Sequence, residues 1–208
     1  MTNNIIRVEP VEKFFSITWN LGRRCNYDCM YCPPELHDSV TPHHSLEKLK
    51  SYWTDIFTKT QANGLKYKIS FTGGEVTGNK NLIPFLTWLR TEYSEYISKI
   101  LLTTNGSATY SYYKKLFNLV DNISFSLHSE HINEQKFFDT IVKLHKTISC
   151  NNHLHVNIMN EEWNQPRIKL YTDILETYKI SHMVNQIDYS KQTRTYPIFK
   201  GKLNLATS

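Results

Sequence analysis

Three cysteines stand close together in C-N-Y-D-C-M-Y-C: Cys25, Cys29 and Cys32 form a C-x3-C-x2-C triplet. Three thiolates on one short loop can hold three irons of a cubane cluster and leave the fourth iron open to a ligand that is not protein. Three protein ligands with one open position is the pattern of a catalytic metal centre, whereas structural sites are closed. A competing reading joins the triplet to His37 as a Cys3His zinc site, because the spacings are close to those of zinc ligands. A disulfide framework is disfavoured. The chain has four cysteines in 208 residues, and its start, MTNNIIRVEP, has no apolar stretch of the kind a secretory signal needs. Reduced thiols in the cytoplasm are the expectation.

A second group lies further along, in K-Y-K-I-S-F-T-G-G-E. Tyr67, Ile69 and Phe71 alternate with Lys68, Ser70 and Thr72, which is the period of a strand, and the strand runs into Gly73-Gly74-Glu75. Two glycines let the backbone turn sharply and approach a ligand closely. Their exposed N–H and C=O groups, with Glu75 alongside, can bind an ammonium group and a carboxylate.

The triplet, with the aromatic Tyr31 immediately before its third cysteine, followed by a strand-borne GGE, resembles the signature of the radical SAM superfamily. The resemblance spans roughly residues 13–190. It implies a [4Fe–4S] cluster on Cys25, Cys29 and Cys32, whose open iron chelates S-adenosylmethionine. One electron, from a donor such as flavodoxin or ferredoxin, then cleaves the sulfonium to give a 5′-deoxyadenosyl radical that takes hydrogen from a substrate. The resemblance further implies that Gly73, Gly74 and Glu75 grip the methionyl amine and that Tyr31 lies against the adenine. It sets Thr104 and Asn105, in T-T-N-G, near the methionyl group, Ser126 at the ribose and Asn157 on the cofactor side. The chain also departs from the family pattern. His128 ends S-F-S-L-H where an acid is common, Val76 replaces the proline after GGE, and no glycine-containing segment is evident in H-V-N-I-M-N.

The elements that must position these groups alternate from end to end. Strands are expected at 13–20, 66–72, 99–104, Asn122–His128, His153–Met159 and near His182–Asp188. Helical spacing follows Ser45, an N-cap, and recurs around Leu82–Leu89, Tyr110–Leu119, Phe137–Ile148 and after Pro166. Strand–helix alternation means a parallel sheet. On strands four and five a polar face (Ser124, Ser126, His128; His153, His155, Asn157, Met159) opposes an apolar one, whereas a sheet covered on both sides should be apolar on both. A polar face implies a lumen. The fold expected is therefore an α/β partial (βα)6 barrel with parallel strands, as the resemblance also implies. Residues 1–208 form one domain with a core at about 13–190 and a polar tail at 191–208. Four of the seven glycines, Gly22, Gly73, Gly74 and Gly106, fall just past the ends of strands one to three, the rim where α/β barrels build sites.

Composition excludes several classes. A 40% apolar, 13% aromatic chain is globular, no apolar run is long enough to span a membrane, and a net charge of +5 falls short of a nucleic-acid-binding surface. Only Cys150 is spare, so an auxiliary-cluster domain is not expected; this thiol reads as buried or idle, with hydrogen donation as the sharper alternative. His128, His155 and Cys150 are the candidate catalytic groups, and His128, His153, His155, Gln186 and Asp188 the candidate substrate contacts. His43-His44 reads as a solvated loop, and the tail as cover for an open barrel edge. A minimal chain favours a small substrate, possible kinds being nucleoside- or pterin-like rings. The alternatives are an activase that installs a glycyl radical on a partner protein and a non-catalytic Fe–S or zinc module.

Overall fold

The structure, a computed structural model, describes residues 13–161 and 164–187. Six strands alternate with five helices: β1 Phe14–Asn20, α1 Leu46–Thr60, β2 Lys66–Thr72, α2 Leu82–Glu92, β3 Ile97–Thr104, α3 Tyr110–Leu116, β4 Asn122–Leu127, α4 Glu134–His145, β5 His153–Asn160, α5 Gln165–Thr177 and β6 Ser181–Gln186. The helices begin where the residue types dictate. The Ser45 hydroxyl accepts from Lys48 N–H, Thr109 and Asn133 cap α3 and α4 in the same way, and Pro166 occupies the first turn of α5.

Every neighbouring pair of strands is parallel and the order is β1-β2-β3-β4-β5-β6. In a doubly wound sheet the order reverses and helices cover both faces. Consecutive order with crossovers of one hand puts all helices on one face. The apolar face of the sheet bears this out: Tyr67, Ile69 and Phe71 of β2, Ile123, Phe125 and Leu127 of β4, and Leu154, Val156 and Ile158 of β5 are all buried. Trp53 of α1, Phe85 of α2, Tyr113 of α3, Phe137 of α4 and Tyr171 of α5 pack into the same core. Each such side chain removed from water is worth about 1.5–3 kcal/mol. The opposite face is polar, as a partial barrel requires. Its rows are set by register, Thr103↔Ser124↔His155↔Ser181 and Ser126↔Asn157↔Met183.

Most strand limits fall within one residue of expectation, and two strands differ by more. β3 starts at Ile97 because the register slips between Tyr67 and Lys68, so that Tyr67 meets Ile97 while Lys68 meets Lys99. Ser98 is the extra residue, and it breaks the alternation from which the strand was read. β6 runs Ser181–Gln186, and Asp188 lies outside the described residues, as does the tail at 191–208. No helix among the described residues is long and apolar enough to cross a membrane.

Candidate active site at the carboxyl ends of the strands

The cysteine loop leaves β1 and is fastened on two sides. On the first, Gly74 N–H donates to Gly22 O and Glu75 N–H to Arg24 O, both at 2.8 Å. The approach is so close that a Cβ on Gly74 would lie 2.3 Å from Arg24 O, and one on Gly73 2.6 Å from Gly22 O. Gly73 also takes φ of 140°, open to glycine and rarely to other residues. The two glycines therefore seat the cysteine loop on β2 as well as facing the cavity. The loop closes on itself through Cys25 N–H to Asp38 O at 2.7 Å and Asp38 N–H to Arg23 O at 3.0 Å. On the second side, residues that follow β4 reach across. Glu130 accepts from Met30 N–H at 3.0 Å, Tyr31 hydroxyl bonds His128 Nδ1, and the Tyr27 and His131 rings stack at 5.1 Å.

Cys29 is buried, Cys25 and Cys32 are half-buried, and all three are free thiols. Burial is the main cause that pushes each thiol above its ordinary range; repulsion acts in the same direction, from Glu75 on Cys25, from Glu130, Glu161 and the other two cysteines on Cys29, and from Cys25, Asp28 and Glu35 on Cys32. Three thiols so placed favour a cationic partner, because a metal reverses that electrostatic balance and takes the thiolate outright. The donor set fits a [4Fe–4S] cluster. It does not fit the Cys3His zinc alternative, since His37 spends both ring nitrogens elsewhere, Nε2 on Asp28 at 2.9 Å and Nδ1 on Pro33 O at 3.2 Å.

Beside the cysteines lies a cavity of about 190 Å³, lined by Cys25, Cys29, Gly73, Gly74, Ser126 and His128 among others. A second, of about 300 Å³, shares Cys25 and is walled by Arg24, His43 and Glu75, so His43 lines a cavity and is not simply solvated. Glu75 is 4% exposed and accepts four hydrogen bonds: Thr77 N–H at 2.9 Å, Thr77 hydroxyl at 2.6 Å, Thr104 hydroxyl at 2.7 Å and Asn105 N–H at 2.6 Å. It thus joins the end of β2 to the end of β3. Asn105 in turn donates to Asn26 Oδ1 at 2.9 Å and reaches Cys25 Sγ at 4.0 Å. Burial, with repulsion from His131, pulls His128 down to about 4, so its imidazole is neutral at physiological pH.

Not every expected residue joins this constellation. Tyr31 turns its ring onto His128, with centroids 5.8 Å apart, while Tyr27 lines the cavity. Asn157 sits on the lumen face but is bound sideways, donating to Ser124 Oγ at 2.6 Å and accepting from Asn185 at 3.0 Å. His155 pairs with Ser181 Oγ at 2.9 Å. His153 starts β5 and Cys150 lies in the turn before it, both exposed, at the opposite end of a parallel sheet from the cysteine loop. The expectation of a buried Cys150 is therefore corrected. Gln186 does not face the lumen either. It is level with Asn160, whose amide it accepts at 2.7 Å, on the helix side of the sheet, and Asn185 takes the lumen position. Sequence reasoning missed Glu130 and Glu161. Glu161 is wholly buried and holds the loop after β4 through Ser129 N–H at 3.0 Å. Isolated acids in loops carry no periodic signal.

The chain is similar to known proteins in sequence and in fold. The family model of the Radical SAM superfamily matches residues 19–158. The GTP 3′,8-cyclase of Campylobacter curvus is 33% identical over 118 residues, which are 56% of this chain and 35% of that one. The GTP 3′,8-cyclase of Thermodesulfovibrio yellowstonii is 31% identical over 118 residues, 55% of this chain and 34% of its own. The chain thus spans about a third of the length of these relatives. Among solved structures, Streptococcus suis SuiB bound to the precursor peptide SuiA superposes with a TM-score of 0.65 at 16% identity, over 89% of this chain and 43% of that one. The family match covers the cysteine triplet, the Gly-Gly-Glu turn, all of β2, β3 and β4 and most of β5, and the chain belongs to the radical SAM superfamily.

Proposed function

We propose that this radical SAM enzyme acts on a small molecule with a purine-nucleoside- or pterin-like ring, bound in the lumen beside the cysteine loop. The observation that carries the reading is the cavity of about 190 Å³. It has Cys25 and Cys29 on one wall and Ser126 and His128 on another, and the polar Ser124–Asn157–Asn185 row adjoins it on the same sheet face. The GTP 3′,8-cyclase relatives support a nucleotide as the first candidate.

Cys25, Cys29 and Cys32 would hold the cluster. Gly73, Gly74, Glu75, Thr104, Asn105 and Ser126 would border S-adenosylmethionine. Bound together, cluster and cosubstrate supply one-electron cleavage of the sulfonium, the source of a hydrogen-abstracting radical. The chain's own residues do the positioning. Glu75 fixes the turn after β2 and the Thr104–Asn105 turn relative to each other, and Asn105 ties that pair to the cysteine loop. The neutral His128 presents a hydrogen-bonding ring to the cavity while Tyr31 holds its other side. A one-electron donor of the flavodoxin or ferredoxin kind completes the scheme.

The test is anaerobic reconstitution with iron and sulfide, reduction with dithionite, and chromatography for 5′-deoxyadenosine with and without purine nucleoside triphosphates. Release stimulated by GTP and lost in Cys29→Ala supports the proposal. Release that needs a co-purifying large protein, and no small molecule, refutes it in favour of a glycyl-radical activase.

A further inference from the structure

We propose that Glu130 holds the reduction potential of the cluster low. It does so by setting a carboxylate against Cys29 and by taking up the Met30 N–H that would otherwise face the cluster. The inference rests on reading the triplet as a [4Fe–4S] site. The potential of such a cluster is set by the charge around it, by hydrogen bonds to its sulfurs and by its exposure. Two of these three converge on Glu130.

Met30 lies between Cys29 and Cys32, on the part of the loop that must wrap the cluster. A backbone N–H left free beside a cluster would be available to its sulfurs, and such a bond makes reduction easier. In this chain it donates to Glu130 Oε2 at 3.0 Å. Cys29 Sγ, a Glu130 oxygen and a His131 ring nitrogen also lie within 4.8 Å of one another. The Glu130 side chain is 21% exposed and its Oε1 lies 3.6 Å from His131 Nε2, so its charge is screened only in part. It is also fixed in place. Ser129, the preceding residue, gives its N–H to the wholly buried Glu161, and the rings of His128 and His131 pack on Tyr31 and Tyr27. The chain spends a buried carboxylate and two aromatic pairs to keep an acid beside a site already crowded with thiolates. Acquiring one electron adds negative charge to that site, and the carboxylate opposes it. Sulfonium cleavage profits, because an electron held at low potential is a stronger reductant.

A unit charge about 6 Å away, at an effective dielectric constant of about 40, shifts the ratio of reduced to oxidised cluster about tenfold. That is about 59 mV for a one-electron couple. The experiment is a redox titration of the reconstituted wild type, Glu130→Gln, Glu130→Ala and Glu130→Asp, followed by the electron paramagnetic resonance signal of the reduced cluster without S-adenosylmethionine. Glu130→Gln keeps an oxygen for Met30 N–H and removes the charge, and Glu130→Ala removes both. At a fixed applied potential, we expect about tenfold more reduced cluster in Glu130→Gln, at least as much in Glu130→Ala, and near wild-type behaviour in Glu130→Asp. Wild-type titration curves in both neutral variants would overturn the proposal. Failure of both to hold a cluster that Glu130→Asp does hold would also overturn it, by making Glu130 a residue of assembly. A wild-type chain that assembles no [4Fe–4S] cluster would instead sink the reading of the triplet, and the proposal with it.

Discussion

Glu75→Gln separates positioning from cofactor contact. In the family pattern this residue faces the methionyl amine, yet in this chain its oxygens already accept four hydrogen bonds, three on Oε1 and one on Oε2. An amide serves best with its oxygen at the Oε1 position. Its NH2 then faces Asn105 N–H, donor against donor, and leaves that buried N–H without a partner, at about 1–3 kcal/mol. The other three bonds lose their charge assistance, roughly half their strength. Relief from burying a charge offsets part of this. The net loss is about 1–3 kcal/mol, and at roughly 2–4 °C per kcal/mol for a chain of this size the melting temperature falls by about 2–12 °C. The assay is a thermal melt of the apoprotein, with neither iron nor S-adenosylmethionine present, so cofactor contact cannot contribute. A variant that melts with the wild type, or above it, refutes the argument that Glu75 joins β2 to β3.

Three further outcomes follow from the geometry. Gly74→Ala sets a Cβ 2.3 Å from Arg24 O, a backbone atom that cannot swing aside, and should cost about 2–4 kcal/mol in urea denaturation and lower iron retention; a stable variant with full iron would contradict the close packing. Burial raises the Glu161 carboxyl from 4.5 to about 7, so the folded chain binds this proton more tightly than the unfolded chain, and the stability it brings is present below pH 4.5 and lost as pH rises through about 7. Glu161→Gln should then exceed the wild type by about 1–3 kcal/mol at pH 8 and match it near pH 4.5, and a difference that does not change with pH would exclude the linkage. Cys150→Ser should leave stability within about 0.5 kcal/mol and cluster content unchanged, because the thiol is exposed at the far end of the sheet; loss of iron in this variant would show the placement to be wrong.

Periodicity carried most of the fold into view. Leu154, Val156 and Ile158 are buried while His155 and Asn157 face the lumen, as alternation required, and the six-strand order follows from strand–helix repetition. A period of two gives a face and not a distance along the strand. His153 shares a face with Asn157 but stands about 13 Å away at the wrong end, which is four residues of strand rise. Gln186 differs for the complementary reason: the pairing with β5 sets it level with Asn160 on the helix side, and the lumen face falls to Asn185. The cysteine triplet and the GGE turn were legible because spacing and residue type coincide in them. Glu130 and Glu161 were not, since each acts through a contact with a chain segment far away in sequence.

The two fastenings of the cysteine loop differ in when they can exist. The grip of Gly74 and Glu75 on Gly22 and Arg24 joins neighbouring strands, so it can close as soon as β2 has left the ribosome. The clasp of Glu130 on Met30 spans 100 positions and must wait for β4 and the turn beyond it. Between these events the thiols are gathered but not yet enclosed. Biosynthesis thus provides an interval in which the three thiols are more open than in the folded chain, where Cys29 is buried and Cys25 and Cys32 are half-buried.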